Sequence, residues 1–198
     1  MDIGVKNFMA VKIFIDQGHN PSGFNAGAEG FGYREQDINY QVGTYLYNLL
    51  QSDPRFEARV SRTTPTQQLG TSNATSLQAR VNLANEWGAD YFISIHCNAS
   101  ENPQANGTEA YVYNLNSDVA RLASDIVDSI VSNLETRNLG VKENRSLYVL
   151  RRTTMPAVLV ELAFITNESD VNKLVNNQYE FAYAIYQGIL DYFNYKPL

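Results

Sequence analysis

Apolar residues recur along this chain in two rhythms: short unbroken runs, and longer stripes at helical spacing. Val11-Lys12-Ile13-Phe14-Ile15 reads as a buried strand that enters a Gly18-His19 turn. Ile38, Val42, Tyr45, Leu46, Leu49 and Leu50 follow a helical period that stops before Asp53-Pro54. Phe56 to Ser61 predicts a second strand, and a polar loop runs from Thr63 to Asn73. Leu77, Val81, Ala84 and Trp87 predict a helix stopped by Gly88, after which Tyr91 to Ile95 predicts a strand that delivers His96. Glu109 to Tyr113 alternates as a strand does, and Val119, Leu122, Ala123, Ile126, Val127, Ile130, Val131 and Leu134 form the strongest helical stripe. Leu147 to Leu150 and Ala157 to Glu161 predict two further strands. A last helical region, roughly Glu168 to Phe193, is expected to break near Asn176-Asn177.

Strand–helix alternation of this kind predicts an α/β fold in a single domain. Its core would be a mostly parallel twisted central sheet of about six strands, flanked by helices on both faces. No internal repeat, low-complexity segment or Pro-rich linker divides the chain. Residues 1–10 read as an N-terminal extension and residues 11–195 as the folded domain.

Composition narrows the partners. The 198-residue chain carries 15 basic and 21 acidic residues, a net charge of -6, with basic residues scattered. That balance opposes a phosphate-binding surface, so nucleic acid is not an expected partner. Cys97 is the single cysteine, which excludes an internal disulfide and a Cys-rich zinc knuckle. No apolar run approaches the ~20 residues a membrane span needs. The start, MDIGVKNFMA, lacks the apolar core of a signal peptide. Export, if it occurs, would use another route or a leader already removed.

Parallel sheets bind ligands beyond the carboxyl ends of their strands. His19, His96 and Glu161 each close an apolar run, so the topology gathers all three at one sheet edge. Two imidazoles and a carboxylate make a three-ligand zinc set with one position open, and the absence of cysteine ligands points to catalysis. Other acids compete for a place. Glu29 lies among glycines and reads as a solvated charge; Glu35 opens a helix, where a carboxylate commonly opposes the dipole. Asp16 is either a site residue or a turn residue. Glu161 ends VLVE, where a buried strand would not hold a carboxylate without a partner. Cys97 should point away from His96 and act as a small apolar residue, not a nucleophile. Arg80 reads as a helix anchor, with pairing to a site carboxylate the alternative. Neither Ser-His-Asp nor Cys-His catalysis is supported.

Taken in order, the blocks IDQGHNPSG, REQDINYQVGTYL, SLQARVNLANEWGADYFISIHCNAS, GTEAYVY and LYVLRRTTMPAVLVELAFITNESD cover most of the chain. With them the chain resembles the zinc-dependent N-acetylmuramoyl-L-alanine amidases of the Amidase_3 type, which cut bacterial peptidoglycan. The resemblance implies that His19, Glu35 and His96 hold one zinc ion and that Glu161 is the catalytic acid–base. It thereby moves the third ligand from Glu161 to Glu35, the acid of an E-x-x-x-N pattern with Asn39. Asn98, two residues beyond His96, is a candidate substrate contact. Cys97 stands where the family commonly has alanine, and Leu162-Ala163 depart from its usual VEtGF wall. Some relatives insert a helix over the zinc between the GTEAYVY and LYVL blocks. Here one helix largely fills that stretch, so an uncovered site needing no activator is expected. The implied setting is the bacterial cell wall or extracellular space, with peptidoglycan as substrate and a monomeric enzyme. Open alternatives are a zinc peptidase or deacetylase acting on another amide, and a non-catalytic wall-binding module.

Overall fold

The computed structural model describes residues 9–198. Its strands and helices, in chain order, are β1 (Val11–Gln17), β2 (Glu29–Gly30), β3 (Tyr33–Arg34), α1 (Glu35–Gln51), β4 (Phe56–Val60), α2 (Asn73–Trp87) and β5 (Tyr91–Asn98). Then come β6 (Thr108–Val112), α3 (Val119–Leu134), β7 (Asn138–Glu143), α4 (Tyr148–Arg152), β8 (Ala157–Phe164), α5 (Glu168–Asn176) and α6 (Gln178–Phe193). Six strands form one sheet in the order β4-β1-β5-β8-β6-β7, and β2 pairs with β3 in a separate antiparallel hairpin. Strands β4, β1, β5 and β8 are parallel, while β6 meets β8 antiparallel and carries β7 with it. The expected α/β domain with a mostly parallel six-stranded sheet is what the chain forms. Of the expected N-terminal extension, residues 1–8 lie outside the described residues.

Alternation along the strands sorts the core. Ile13, Ile15, Ile93, Ile95, Val158 and Val160 face α1, α3 and α6 in the larger apolar cluster. Phe14, Phe92, Ala157 and Leu159 face the other way, onto Val81 and Ala84 of α2 and Val149 and Leu150 of α4. A strand apolar on both faces reads as an unbroken hydrophobic run, which is why β1, β5 and β8 were legible without alternation. Local signals end the helices where expected. Ser72 and Thr75 make a reciprocal capping box at the start of α2, and Gly88 closes it in the left-handed conformation. The last helical region does break at Asn177, between α5 and α6.

Two expectations fail. Leu147 to Leu150, expected as a strand, instead leads into α4, with Leu147 as the N-cap residue. A four-residue apolar run carries no period of its own, and here a single helical turn lets Val149 and Leu150 reach the α2 cluster together. The sixth strand is instead Asn138–Glu143, which has no apolar run. It pairs only with β6 at the sheet edge, where exposed Lys142 and Glu143 suit a strand with one open side.

Candidate active site

β1 turns one way to β4 and the chain returns to β5 on β1's other side, so the strand order reverses between β1 and β5. A crevice opens at such a reversal. His19 follows β1, and His96 lies near the end of β5. Glu35, the first residue of α1, brings the third side chain. Three donor atoms converge: His19 Nε2 lies 3.0 Å from Glu35 Oε1 and 3.1 Å from His96 Nδ1, and His96 Nδ1 lies 3.0 Å from Glu35 Oε1. Donors about 2.0–2.1 Å from a tetrahedral ion lie roughly 3.3 Å from one another, so this triangle has the size of one face of a zinc site. The residues present therefore fit a zinc ion.

Each donor is held by its surroundings. His19 occupies the left-handed region at φ 69°, and its Nδ1 faces the carbonyl of Asn25 at 3.2 Å, leaving Nε2 to the cluster. The His96 ring lies against the backbone of Gly18, where a Cβ would meet its atoms at 2.4–2.7 Å. Gly27 plays the same part for Glu35, since a Cβ there would stand 2.7 Å from Oε2. The amides of Cys97 and Asn39 donate to Glu35 Oε1 at 3.0 and 3.2 Å, and Ala28 N–H donates to Oε2 at 2.9 Å. Burial alone would raise the Glu35 carboxyl, but hydrogen bonds and charge from His19 and His96 hold it well below the usual carboxylate range. The cluster is reachable: the His19 and His96 side chains are 20% and 17% exposed. Helix α3 packs against α6 on the far face of the sheet.

Glu161 stands beside His96 in the parallel β5–β8 register, on the same face of the sheet. Among the described residues it makes no ion pair with a cation, and its buried Oε2 has no hydrogen-bond partner. Burial first, then the charges of Glu35 and Glu109, push its carboxyl up to about 8. A carboxyl in that range can exchange a proton near neutrality.

Glu109 is a residue the sequence reading did not single out. It is Glu161's antiparallel partner on β6 and is 3% exposed. Asn98 Nδ2 donates to Glu109 Oε1 at 2.8 Å, the Tyr111 hydroxyl donates to it at 2.6 Å, and Lys142 forms an ion pair with Oε2. The signal was available. GTEAYVY puts an acid in a strand whose neighbours are apolar, the same oddity that marked Glu161. Asn98, the candidate substrate contact, donates its amide to Glu109.

Other residues fall where expected or nearby. Glu29 is exposed, as a solvated charge should be. Cys97 is buried on the side opposite His96, and burial raises its thiol far above the ordinary value, which removes it as a nucleophile. Arg80 and Asp16, each 1% exposed, pair at 2.6 Å below the cluster. Arg80 also donates to the carbonyls of Gln17 and His19, at 2.6 and 2.5 Å, so it anchors the strand end that presents His19. It does pair with a carboxylate, though not one of the cluster. Beside the histidines a cavity of about 130 Å³ is walled by Leu77, Tyr148 and Leu159.

The family model for N-acetylmuramoyl-L-alanine amidase matches residues 13–191. The chain belongs to the N-acetylmuramoyl-L-alanine amidase family. It is thus a member of a family of peptidoglycan-cleaving enzymes, and relatives agree. It is 38% identical over 188 residues to the N-acetylmuramoyl-L-alanine amidase LytC of Bacillus subtilis, covering 91% of this chain and 35% of LytC. It is 33% identical to the sporulation-specific N-acetylmuramoyl-L-alanine amidase of the same organism, covering 94% of this chain and 69% of that one. The chain therefore spans about a third of LytC's length. Among solved structures, the N-acetylmuramoyl-L-alanine amidase of Clostridium difficile 630 superposes with a TM-score of 0.83 at 36% identity. That alignment covers 95% of this chain and 99% of the other.

Proposed function

We propose that this amidase-family chain hydrolyses the amide joining the lactyl group of N-acetylmuramic acid to L-alanine in peptidoglycan. His19, Glu35 and His96 would hold one zinc ion, and Glu161 is the general acid–base. The observation that carries this reading is the convergence of His19 Nε2, His96 Nδ1 and Glu35 Oε1 beside an unpaired, register-matched Glu161. When bound, zinc acidifies water and polarises the scissile carbonyl. The chain's own residues do the rest. Asn39, Ala28 and Cys97 orient Glu35, and the Asn25 carbonyl fixes the His19 ring, so the donors are set before any ion arrives. Glu161 takes the proton of the attacking water and passes it to the departing alanine amine, which leaves as a neutral amine. Its raised proton affinity suits both halves of that transfer. Lys142, Tyr111 and Asn98 hold the Glu109 side chain in place beside Glu161.

The site works uncovered and without an activator, since α3 lies on the opposite face. Residues 11–195 are the catalytic unit and act as a monomer on the cell wall, outside the cytoplasm. The test is digestion of purified peptidoglycan by the zinc-loaded protein. Mass spectrometry should show free stem peptides with amino-terminal alanine and no new reducing sugar ends. Release of acetate, or cleavage inside the peptide with the lactyl–alanine amide intact, would identify a deacetylase or peptidase and overturn the reading.

A further inference from the structure

Beyond Glu161 the sheet continues, and its catalytic face is not evenly covered. α2 and α4 pack over β1, β5 and β8 on that face, while α3 covers β6 and β7 from the other. Register decides which side chains β6 and β7 show there. Glu161 pairs with Glu109 and Leu159 with Tyr111, and Tyr111 pairs in turn with Lys142 on β7. Residues paired across neighbouring strands share a face, so Glu109, Tyr111 and Lys142 form one floor that starts at Glu161.

Lys142 supplies a cation to that floor. Its ammonium is held on the buried Glu109 carboxylate, yet its side chain is 47% exposed. Glu109 is itself fixed by the Asn98 amide and the Tyr111 hydroxyl, so the lysine's anchor does not wander. An ammonium has three donors, and among the described residues the Lys142 side chain makes only the bond to Glu109. A cation tethered in this way has given up its side-chain freedom before a ligand arrives. A second acid therefore meets it at reduced entropic cost.

The polarity of the reaction selects which part of the substrate reaches this floor. β5, which carries His96, flanks β8 on one side, and β6 flanks it on the other. In the proposed hydrolysis the cluster takes the scissile carbonyl and Glu161 serves the departing amine. The peptide that begins at that amine clears the cluster by crossing β6. Adjacent strands lie about 4.8 Å apart, and Lys142 leans back from β7 to an acid on β6, so its ammonium stands one to two strand spacings, roughly 5–10 Å, beyond Glu161. A peptide advances about 3.3–3.6 Å per residue, which brings the second residue of the leaving peptide to that point. In a peptidoglycan stem this residue bears an α-carboxyl group that is either free or amidated.

We propose that Lys142, tethered by Glu109, determines specificity by binding a free α-carboxylate on the second residue of the leaving stem peptide. This rests on the amidase reading and adds to it a preference between two forms of one substrate, the acid and its carboxamide.

The experiment uses the full zinc-loaded chain and two disaccharide tripeptides that differ only in the second residue's α-group, carboxylate in one and carboxamide in the other. Wild type should favour the acid roughly tenfold in kcat/KM, the size of one charge-assisted hydrogen bond at a half-exposed site. Calorimetric titration of the zinc-loaded Glu161→Gln variant with the same two compounds should show that preference in Kd. Lys142→Met keeps the aliphatic stem and removes the donors. It should bring the acid-to-amide ratio to within about twofold of unity, and Lys142→Arg should restore most of the preference. Equal kcat/KM of wild type for the two compounds overturns the proposal without recourse to any variant. So does a Lys142→Met protein that keeps the ratio while losing turnover on both compounds alike, the behaviour of a lysine that only neutralises Glu109. If Lys142→Met does not fold, Lys142→Gln is read by the same ratio. Failure of the amidase reading looks different: wild type then releases no peptide from either compound, and the proposal falls with it.

Discussion

Glu161 and Glu35 show how environment, not residue type, sets opposite proton affinities in two carboxylates on different elements. Glu35 is surrounded by donors and stays ionised; Glu161 is buried beside two acids and is pushed up to about 8. Glu161→Gln keeps the shape and removes the proton carrier. It should retain stoichiometric zinc and lose turnover by about 10²–10⁴-fold. Wild-type turnover in that variant would remove Glu161 from the mechanism. The same shift makes a stability statement for metal-free protein. The native state holds the Glu161 proton between the unfolded value near 4.5 and about 8, so stability falls as pH rises through that window. Metal-free Glu161→Gln should therefore be more stable than wild type at pH 9 and indistinguishable at pH 4. Urea denaturation at the two pH values reads this directly. At this scale the sequence was informative about charge in odd places. A carboxylate ending VLVE was visible, whereas the division of labour between Glu35 and Glu161 depends on neighbours from three separate elements. Without the family resemblance, nothing local to Glu35 distinguishes it from an ordinary helix-opening acid.

Among elements, the ends of β1 and β5 carry the site, and glycine sets how closely they approach. Gly18 ends β1 against the His96 ring, with space for a hydrogen and none for a methyl group. Gly18→Ala should displace His96, weaken zinc binding by at least about tenfold and leave the fold's far-ultraviolet spectrum unchanged. Competition with a chromogenic chelator measures it, and unchanged affinity would show that the ring is not braced there. Such close approaches explain what was hidden in the glycine-rich loop. IDQGHNPSG announced a turn, but which atom a glycine accommodates depends on a strand some eighty residues away. The same holds for α4 and β7. Leu147 to Leu150 was apolar because it covers Phe92 and Leu159, and Asn138–Glu143 was polar because it is an edge. Periodicity reported burial correctly in both and geometry in neither.

The whole molecule shares one logic with its site: both faces of the sheet are filled, and the crevice opens only at its rim. β1, β5 and β8 were legible because burial on both faces leaves no ambiguity in an apolar run. The antiparallel insertion of β6 was not legible, since strand direction depends on the path of α3 across the sheet. A pre-set donor triangle means that ion binding should tie β1, β5 and α1 together. Removing zinc with a chelator should lower Tm by several degrees, and the shift should scale with free zinc concentration as linkage requires. A Tm independent of zinc would separate the cluster from metal binding.

The reversed direction of β6 and β7 also divides the molecule's loops into two populations. Those after β1, β5 and β8 frame the chemistry, but the turn leaving β6, with Leu115 and Asn116 exposed, emerges at the opposite rim. That turn is a natural attachment point. A fluorophore, an affinity tag or a wall-targeting module spliced between Leu115 and Asn116 should leave zinc affinity and turnover within about twofold of wild type. The fold thus offers a handle for tracking or retargeting the enzyme that the catalytic rim does not provide.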